Sequence, residues 1–198
     1  GAQGGRGGQV EISAARLDGI QSKIDAHASA GFLGGELLID PFNLNINSAL
    51  VSSLTPLLDA GLDKISLQAD NNITLSTAWS LVDPGGPALL SLIAGNNIIF
   101  NNGSRLTAGE NWSVALSAGD RNATSKPDDG FGGIYLNSNA SIQTRNGGIN
   151  LWAANDVLVN ADTSTAGHNG IRAVNAGRLS VTALFGNVNS GANRNGYQ

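Results

Sequence analysis

The chain lacks cysteine and methionine, and only five of its 198 residues are proline. Without cysteine there is no disulfide and no thiolate metal site. Charge is sparse as well, with 13% of residues charged and 5% aromatic. The net charge of -4 and pI near 4.9 argue against nucleic acid or an anionic membrane surface as the main partner. No apolar run approaches the length needed to cross a bilayer, so membrane insertion is not expected. A hydrophobic content of 41% is too high for a disordered chain. Methionine is missing even at position 1. The expectation is a processed or excised segment of a longer chain, 1–198 forming a single structural segment, whose leader would lie upstream. The absence of both oxidisable sulfur residues fits an extracellular setting.

What is abundant is glycine, with 27 residues, and asparagine, with 23. Both tolerate left-handed backbone angles and favour turns. Between the turns a pattern recurs. Ile65-Ser66-Leu67-Gln68-Ala69-Asp70-Asn71-Asn72-Ile73-Thr74-Leu75 returns 25 residues later as Leu90 to Phe100, and again as Ile149 to Val159. With one extra residue it returns as Leu179 to Val188. Val114 to Ala118 supply the first half of a further copy, and Ile134 to Thr144 read as a weaker whole one, with Leu136, Ser138 and Ile142 at the matching places.

The shared form is apolar, x, apolar, x, small, then a turn, then apolar, x, apolar. Period-two alternation marks a half-buried strand. Strand, sharp turn, strand at a spacing of 24 to 35 residues is one coil of a solenoid. The fold expected is all-β: a parallel β-helix (β-solenoid) with one short helix and a few surface loops. Ile65, Leu67, Ala69, Ile73 and Leu75 should face inward, and Ser66, Gln68 and Thr74 outward. At about 4.8 Å per coil, seven to nine coils would make a rod of roughly 35–45 Å. A hairpin meander is the alternative, but it offers no reason for Ala to precede Asn-Asn at one fixed offset. In a stack, Asn71 and Asn72, Asn96 and Asn97, and Asn155 and Asp156 would lie above one another as a turn ladder.

Two stretches depart from the rhythm. Leu54, Leu57 and Leu58 have helical spacing, with Ser before, Pro56 early and Gly61 after, which predicts a short helix near 54–60. Gly119 to Gly133 is polar and bears Gly and Pro, which predicts a surface loop.

The passages Gly8-Gln9-Val10-Glu11-Ile12-Ser13-Ala14 and Gly34-Gly35-Glu36-Leu37-Leu38-Ile39-Asp40-Pro41-Phe42-Asn43-Leu44-Asn45-Ile46 resemble filamentous haemagglutinin-like exoproteins. These are the very long passengers of two-partner secretion systems in Gram-negative bacteria. The later Leu-x-Ala-Gly-Asn-Asn-Ile and Leu-Ser-Ala-Gly-Asp phrases resemble the repeats that follow in that family. The resemblance implies a right-handed parallel β-helix, secreted or held at the cell surface, serving as the shaft of an adhesive filament. Its partners would be glycans or proteins of host or neighbouring cells. End-to-end or lateral self-association would be a further property. The family's secretion motif is Asn-Pro-Asn-Gly. The nearest match here, Asn193-Arg194-Asn195-Gly196, lacks the proline and lies at the other end. The segment therefore reads as shaft, with the outer-membrane transporter engaged only through an N-terminal domain outside it.

Residues able to do chemistry are few. His27 and His168 stand far apart with no second histidine at ligand spacing and no paired acid in sequence, so both read as surface residues. Asp120, Asp128 and Asp129 offer oxygen ligands on one loop, without the spacing of a known calcium loop. No nucleophile elbow, phosphate loop or dinucleotide fingerprint is present, and no cofactor is implied. The enzymatic rival is a polysaccharide lyase or hydrolase, which would need acids and a base on an outward strand face. The outward positions here are Ser66, Gln68, Thr74, Ser91, Asn150, Ser180 and Thr182, all uncharged. Trp152 falls at an outward slot and is the candidate glycan contact of a lectin-like alternative. Trp79 and Trp112 read as packing. Asn72, Asn102, Asn111, Asn122 and Asn139 each begin an Asn-x-Ser/Thr triplet. Asn122, in its loop, is the candidate for N-glycosylation.

Overall fold

Alternating apolar residues must all find one interior, and the chain provides it by coiling. The computed structural model describes residues 5–17, 19–58, 61–160 and 170–189. His168, the Asn193 to Gly196 tetrapeptide and the final two residues of the predicted helix lie outside these.

Strands stack in parallel in three sheets. The first contains Gln9–Ala14, Gly35–Pro41, Leu62–Ala69, Ala88–Ala94, Trp112–Ala118, Ile149–Ala153 and Leu179–Ala183, neighbours in chain order. The second contains Leu44–Ile46, Ile73–Leu75, Ile98–Phe100, Ile134–Leu136, Val157–Val159 and Val188–Asn189. The third contains Ala78–Leu81, Arg105–Glu110, Ser141–Arg145 and Gly170–Val174. The coils that begin at Leu62, Ala88, Trp112 and Ile149 visit the three sheets in turn, and with the partial coils at either end they make a β-solenoid of about six turns. At roughly 4.8 Å per coil the stack is about 30 Å long, shorter than the seven to nine coils expected. The seven first-sheet strands are separated by six steps of 24 to 35 residues, the spacing read in the sequence, and steps of that length fit fewer coils into the chain than expected.

Register places like on like. Ile65 lies against Leu90, Leu67 against Leu92, and Ile73 against Ile98. The column Ile39, Leu67, Leu92, Leu116, Leu151 runs through the interior, each residue at most 1% exposed. Burying one such side chain is worth about 1.5–3 kcal/mol. Trp79 and Trp112 join this core at 1% and 0% exposure. The Trp112 indole N–H donates to the Val82 carbonyl at 2.6 Å, which satisfies its one polar atom.

Two readings of the sequence need correction. The Ile134 to Thr144 segment is not a copy of the repeat. Ile134 pairs with Ile98 and Val157 in the second sheet, while Ile142 pairs with Leu106 and Ile171 in the third. It completes the coil begun by Val114 to Ala118, with the 119–133 loop inserted between. Apolar-x-apolar is the same word on every side of a coil, so short copies do not reveal which sheet they join.

The helix also begins earlier than 54. It spans Ser48–Leu58, because Asn47 caps it: the Asn47 side-chain oxygen accepts the Leu50 N–H at 3.0 Å. Pro56 therefore sits near its end rather than in its first turn. Pro56 and Ser52, whose carbonyl it leaves without an intrahelical partner, are both on the exposed side. Leu50, Leu54, Leu57 and Leu58 are buried. The helix follows Leu44–Ile46, where a third-sheet strand would come, and packs on Leu44–Ile46 and Ala78–Leu81, covering that edge of the third sheet.

Candidate functional site

The corner between the first and second sheets carries a stack of polar side chains. The Asn43 side-chain oxygen accepts the Asn72 N–H at 3.1 Å. The Asn72 oxygen accepts the Asn97 N–H at 3.0 Å, and the Asn97 oxygen accepts the Gly133 N–H at 2.9 Å. Further along, the Asp156 carboxylate accepts the Asn187 N–H at 2.7 Å. Beside this column the Asn96 amide donates to the Asn71 oxygen at 3.2 Å, and the Asn96 oxygen accepts the Gly132 N–H at 3.0 Å. Where an Asn or Asp stands at this corner, it thus caps a backbone donor of the next coil, a group that would otherwise be costly to leave unmade.

The ladder does not run unbroken from Asn96 and Asn97 to Asn155 and Asp156, as the sequence had suggested. Gly132 and Gly133 occupy the rung between them. The inserted loop fills the gap. The Asn97 amide donates to the Gly130 carbonyl at 2.8 Å, and the Asn155 amide donates to the Asp128 carbonyl at 3.2 Å. Asn155 is 0% exposed and its side-chain oxygen has no partner. The ladder therefore clamps the loop from above and below.

Within the loop the charges are largely engaged. Lys126 Nζ is 2.8 Å from Asp129 Oδ1. This hydrogen bond holds the Asp129 carboxyl below its usual range and raises the Lys126 ammonium. Asp120 accepts the Asn122 N–H at 2.8 Å, and the Asn122 side chain is exposed. Phe131 stands out at 54% exposure.

Tyr135, which the sequence reading passed over, lies outward on the second sheet between Ile99 and Leu158. Its hydroxyl is buried with no partner. Burial raises its pKa, and the nearby Asp156 and Asp129 carboxylates raise it further.

The base of the loop folds over the first sheet. Arg121 Nε donates to Ser117 Oγ at 2.9 Å, and its guanidinium sits 4.7 Å from the Trp152 ring centroid. Trp152 is outward and half-buried, as its slot in the repeat requires, but one ring face already carries a cation. On the same sheet a central outward column runs Leu38, Ser66, Ser91, Ala115, Asn150, Ser180. Ser66, although outward, is only 3% exposed. Gln68, Ile93, Ser117, Trp152 and Thr182 form the next column.

A second asparagine corner, between the third and first sheets, escaped the sequence reading. Asn111, Asn146 and Asn175 all have left-handed backbone, with φ of 67°, 65° and 69°. The Asn175 amide donates to the Asn146 oxygen at 3.1 Å, and the Asn111 amide to Asp83 at 3.2 Å. The signal was present as an asparagine one to four residues before three of the first-sheet strands, those beginning at Trp112, Ile149 and Leu179, but its spacing varies too much to stand out.

His27 does have an acid beside it, contrary to the sequence reading: its Nδ1 is 2.8 Å from Asp25. The hydrogen bond from His27 holds Asp25 below the usual carboxylate range. Both side chains are exposed, at 65% and 85%. Among the described residues no three His, Asp or Glu side chains converge as a metal site would require.

No protein-family model, no curated protein and no solved structure matches this chain.

Proposed function

We propose that this chain is a structural and adhesive shaft of a secreted, cell-surface filament, and that it acts without turning over a substrate. One observation carries the reading. From the third to the seventh strand of the first sheet, the central outward column is Ser66, Ser91, Ala115, Asn150 and Ser180, with no ionisable group. A glycosidase needs two carboxyls about 5–10 Å apart across its substrate, and stacked coils would supply them from such columns. What this central column supplies is an uncharged, mostly polar strip on a rigid core. The ladders at two corners serve the same end, because they fix coil against coil. The resemblance of the Leu37 to Ile46 passage to filamentous haemagglutinin-like exoproteins supports the same reading, and with it a two-partner secretion route.

The test uses the 198-residue chain. Coated on beads, it should retain the beads on cell surfaces, and it should release no reducing ends or unsaturated products from a panel of neutral and acidic polysaccharides. Turnover that disappears on changing Asp70 or Asp156 would overturn the reading in favour of an enzyme. A lectin-like reading through Trp152 alone is disfavoured by the Arg121 guanidinium lying over that ring.

A further inference from the structure

The first sheet's outward face holds an open depression of about 470 Å³ away from Trp152, at the side where its strands begin. A second, of about 420 Å³, adjoins it and extends toward Lys64 and Glu36. The two share Leu89 and Ser113. The gap has a simple origin: Gly148 interrupts the column between Ser113 and Arg178, and Ala115 is small beside it. Gly148 is also fixed in place, since its N–H donates to Ser113 Oγ at 3.2 Å.

We propose that this groove binds an extended, carboxylate-bearing pyranose chain lying along the rod axis. The inference rests on the adhesive part of the shaft reading and names its ligand and its site. Leu89 and Ala115 give a shallow apolar floor suited to the C–H face of a sugar ring. Asn150, Ser180 and the Arg178 guanidinium line the same depression on successive coils. Asn150 and Arg178 are exposed. These groups offer hydroxyl and amide partners together with a planar fork that matches a carboxylate. Equivalent positions recur at about 4.8 Å from coil to coil, comparable with the length of one sugar ring. A polymer along the axis would therefore meet a new set of partners at each ring. Among the described residues Arg178 is the ionised group lining the larger depression, so an acidic ring is favoured there over a neutral one.

Calorimetric titration of the chain with oligogalacturonate, oligoalginate, heparin fragments and cello-oligosaccharides tests the proposal. The uronate chains should bind more tightly than the neutral chain. Arg178→Gln should weaken uronate binding about tenfold and neutral binding much less, which narrows the preference for uronate. Ala115→Phe, which fills the groove from an outward position, should abolish binding with the melting temperature preserved. Equal affinity for neutral and uronate chains, or heparin binding alone, would overturn the carboxylate assignment. Uronate binding that survives Ala115→Phe, or that is lost only in Trp152→Ala, would overturn the site. Bead adhesion without any glycan binding would refute this inference while sparing the shaft reading; loss of adhesion as well would refute both.

Discussion

The side-chain oxygen of Asn72 accepts the backbone N–H of Asn97, 25 residues later, at 3.0 Å. The Asn97 oxygen then accepts the N–H of Gly133. A side chain in one coil therefore measures the position of the next coil's backbone. Apolar columns alone tolerate small slips, because Leu, Ile and Val are near-equivalent in volume. A directed hydrogen bond does not.

Asn97 is 8% exposed and holds both Gly133 and the loop carbonyl of Gly130. Asn97→Ala should lower unfolding free energy by about 1–3 kcal/mol through the unmade bonds. Asn97→Asp keeps the acceptor for Gly133 but sets a buried carboxylate oxygen against the Gly130 carbonyl, so it should cost at least as much. Urea titration checks the sizes, and hydrogen exchange should show the Gly133 amide opening first. Unchanged exchange at Gly133 would refute the capping role.

Leu92 lies at the centre of an interior column and is 1% exposed. Leu92→Ala should cost about 2–5 kcal/mol, and Leu92→Asp should prevent stable folding at neutral pH. Gln68→Asp, on the outward side of the neighbouring strand, should change the melting temperature little. Equal loss in the two Asp variants would contradict the observed facing.

Gly147 tests how closely the coils approach. A Cβ there would stand 1.8 Å from the Trp112 carbonyl oxygen, a backbone atom that cannot swing aside. Gly147→Ala should therefore destabilise strongly, by about 2 kcal/mol or more. Gly86→Ala, where a Cβ meets nothing within 4 Å, should be close to neutral or slightly stabilising. Thermal melts of the pair give the comparison directly.

Asp129 carries the pH dependence of the loop. Its carboxyl is held below the usual range by Lys126, so the pairing contributes above the unfolded carboxyl pKa and is lost as pH falls through the lower folded value. Carbon-detected NMR should place the Asp129 midpoint below that of an unperturbed aspartate, and Lys126→Gln should return it upward. Phe131 shifts should follow the same curve. A midpoint unmoved by Lys126→Gln would remove the ion pair as the cause.

Much of this fold was legible from the residues. The spacing from Ile65 to Leu90 is the observed pairing, and Ile65, Leu67, Ala69, Ile73 and Leu75, the residues expected to face inward, are all buried, because period-two alternation leaves one face for the core. The corner asparagines of the ladder were legible for the same reason, as they share a fixed offset. What failed was local. Ile134 was misplaced because three-residue apolar words fit any side of a coil, and the helix was begun late because Asn47, not a serine, is its cap.

The sequence by itself determined the strand pattern and the chemistry of the turns, which depend on residues a few positions apart, and the stacking offset, which the recurrence of the repeat displays. The tertiary structure alone decided the rest. It inserted Gly132 and Gly133 into the asparagine ladder, laid Arg121 over Trp152, buried the Tyr135 hydroxyl, and opened a depression where Gly148 meets Ala115 and Arg178. Each of these depends on which coil lies against which. That is set by loop length and packing across about 25–35 residues, a range over which no local pattern carries the answer.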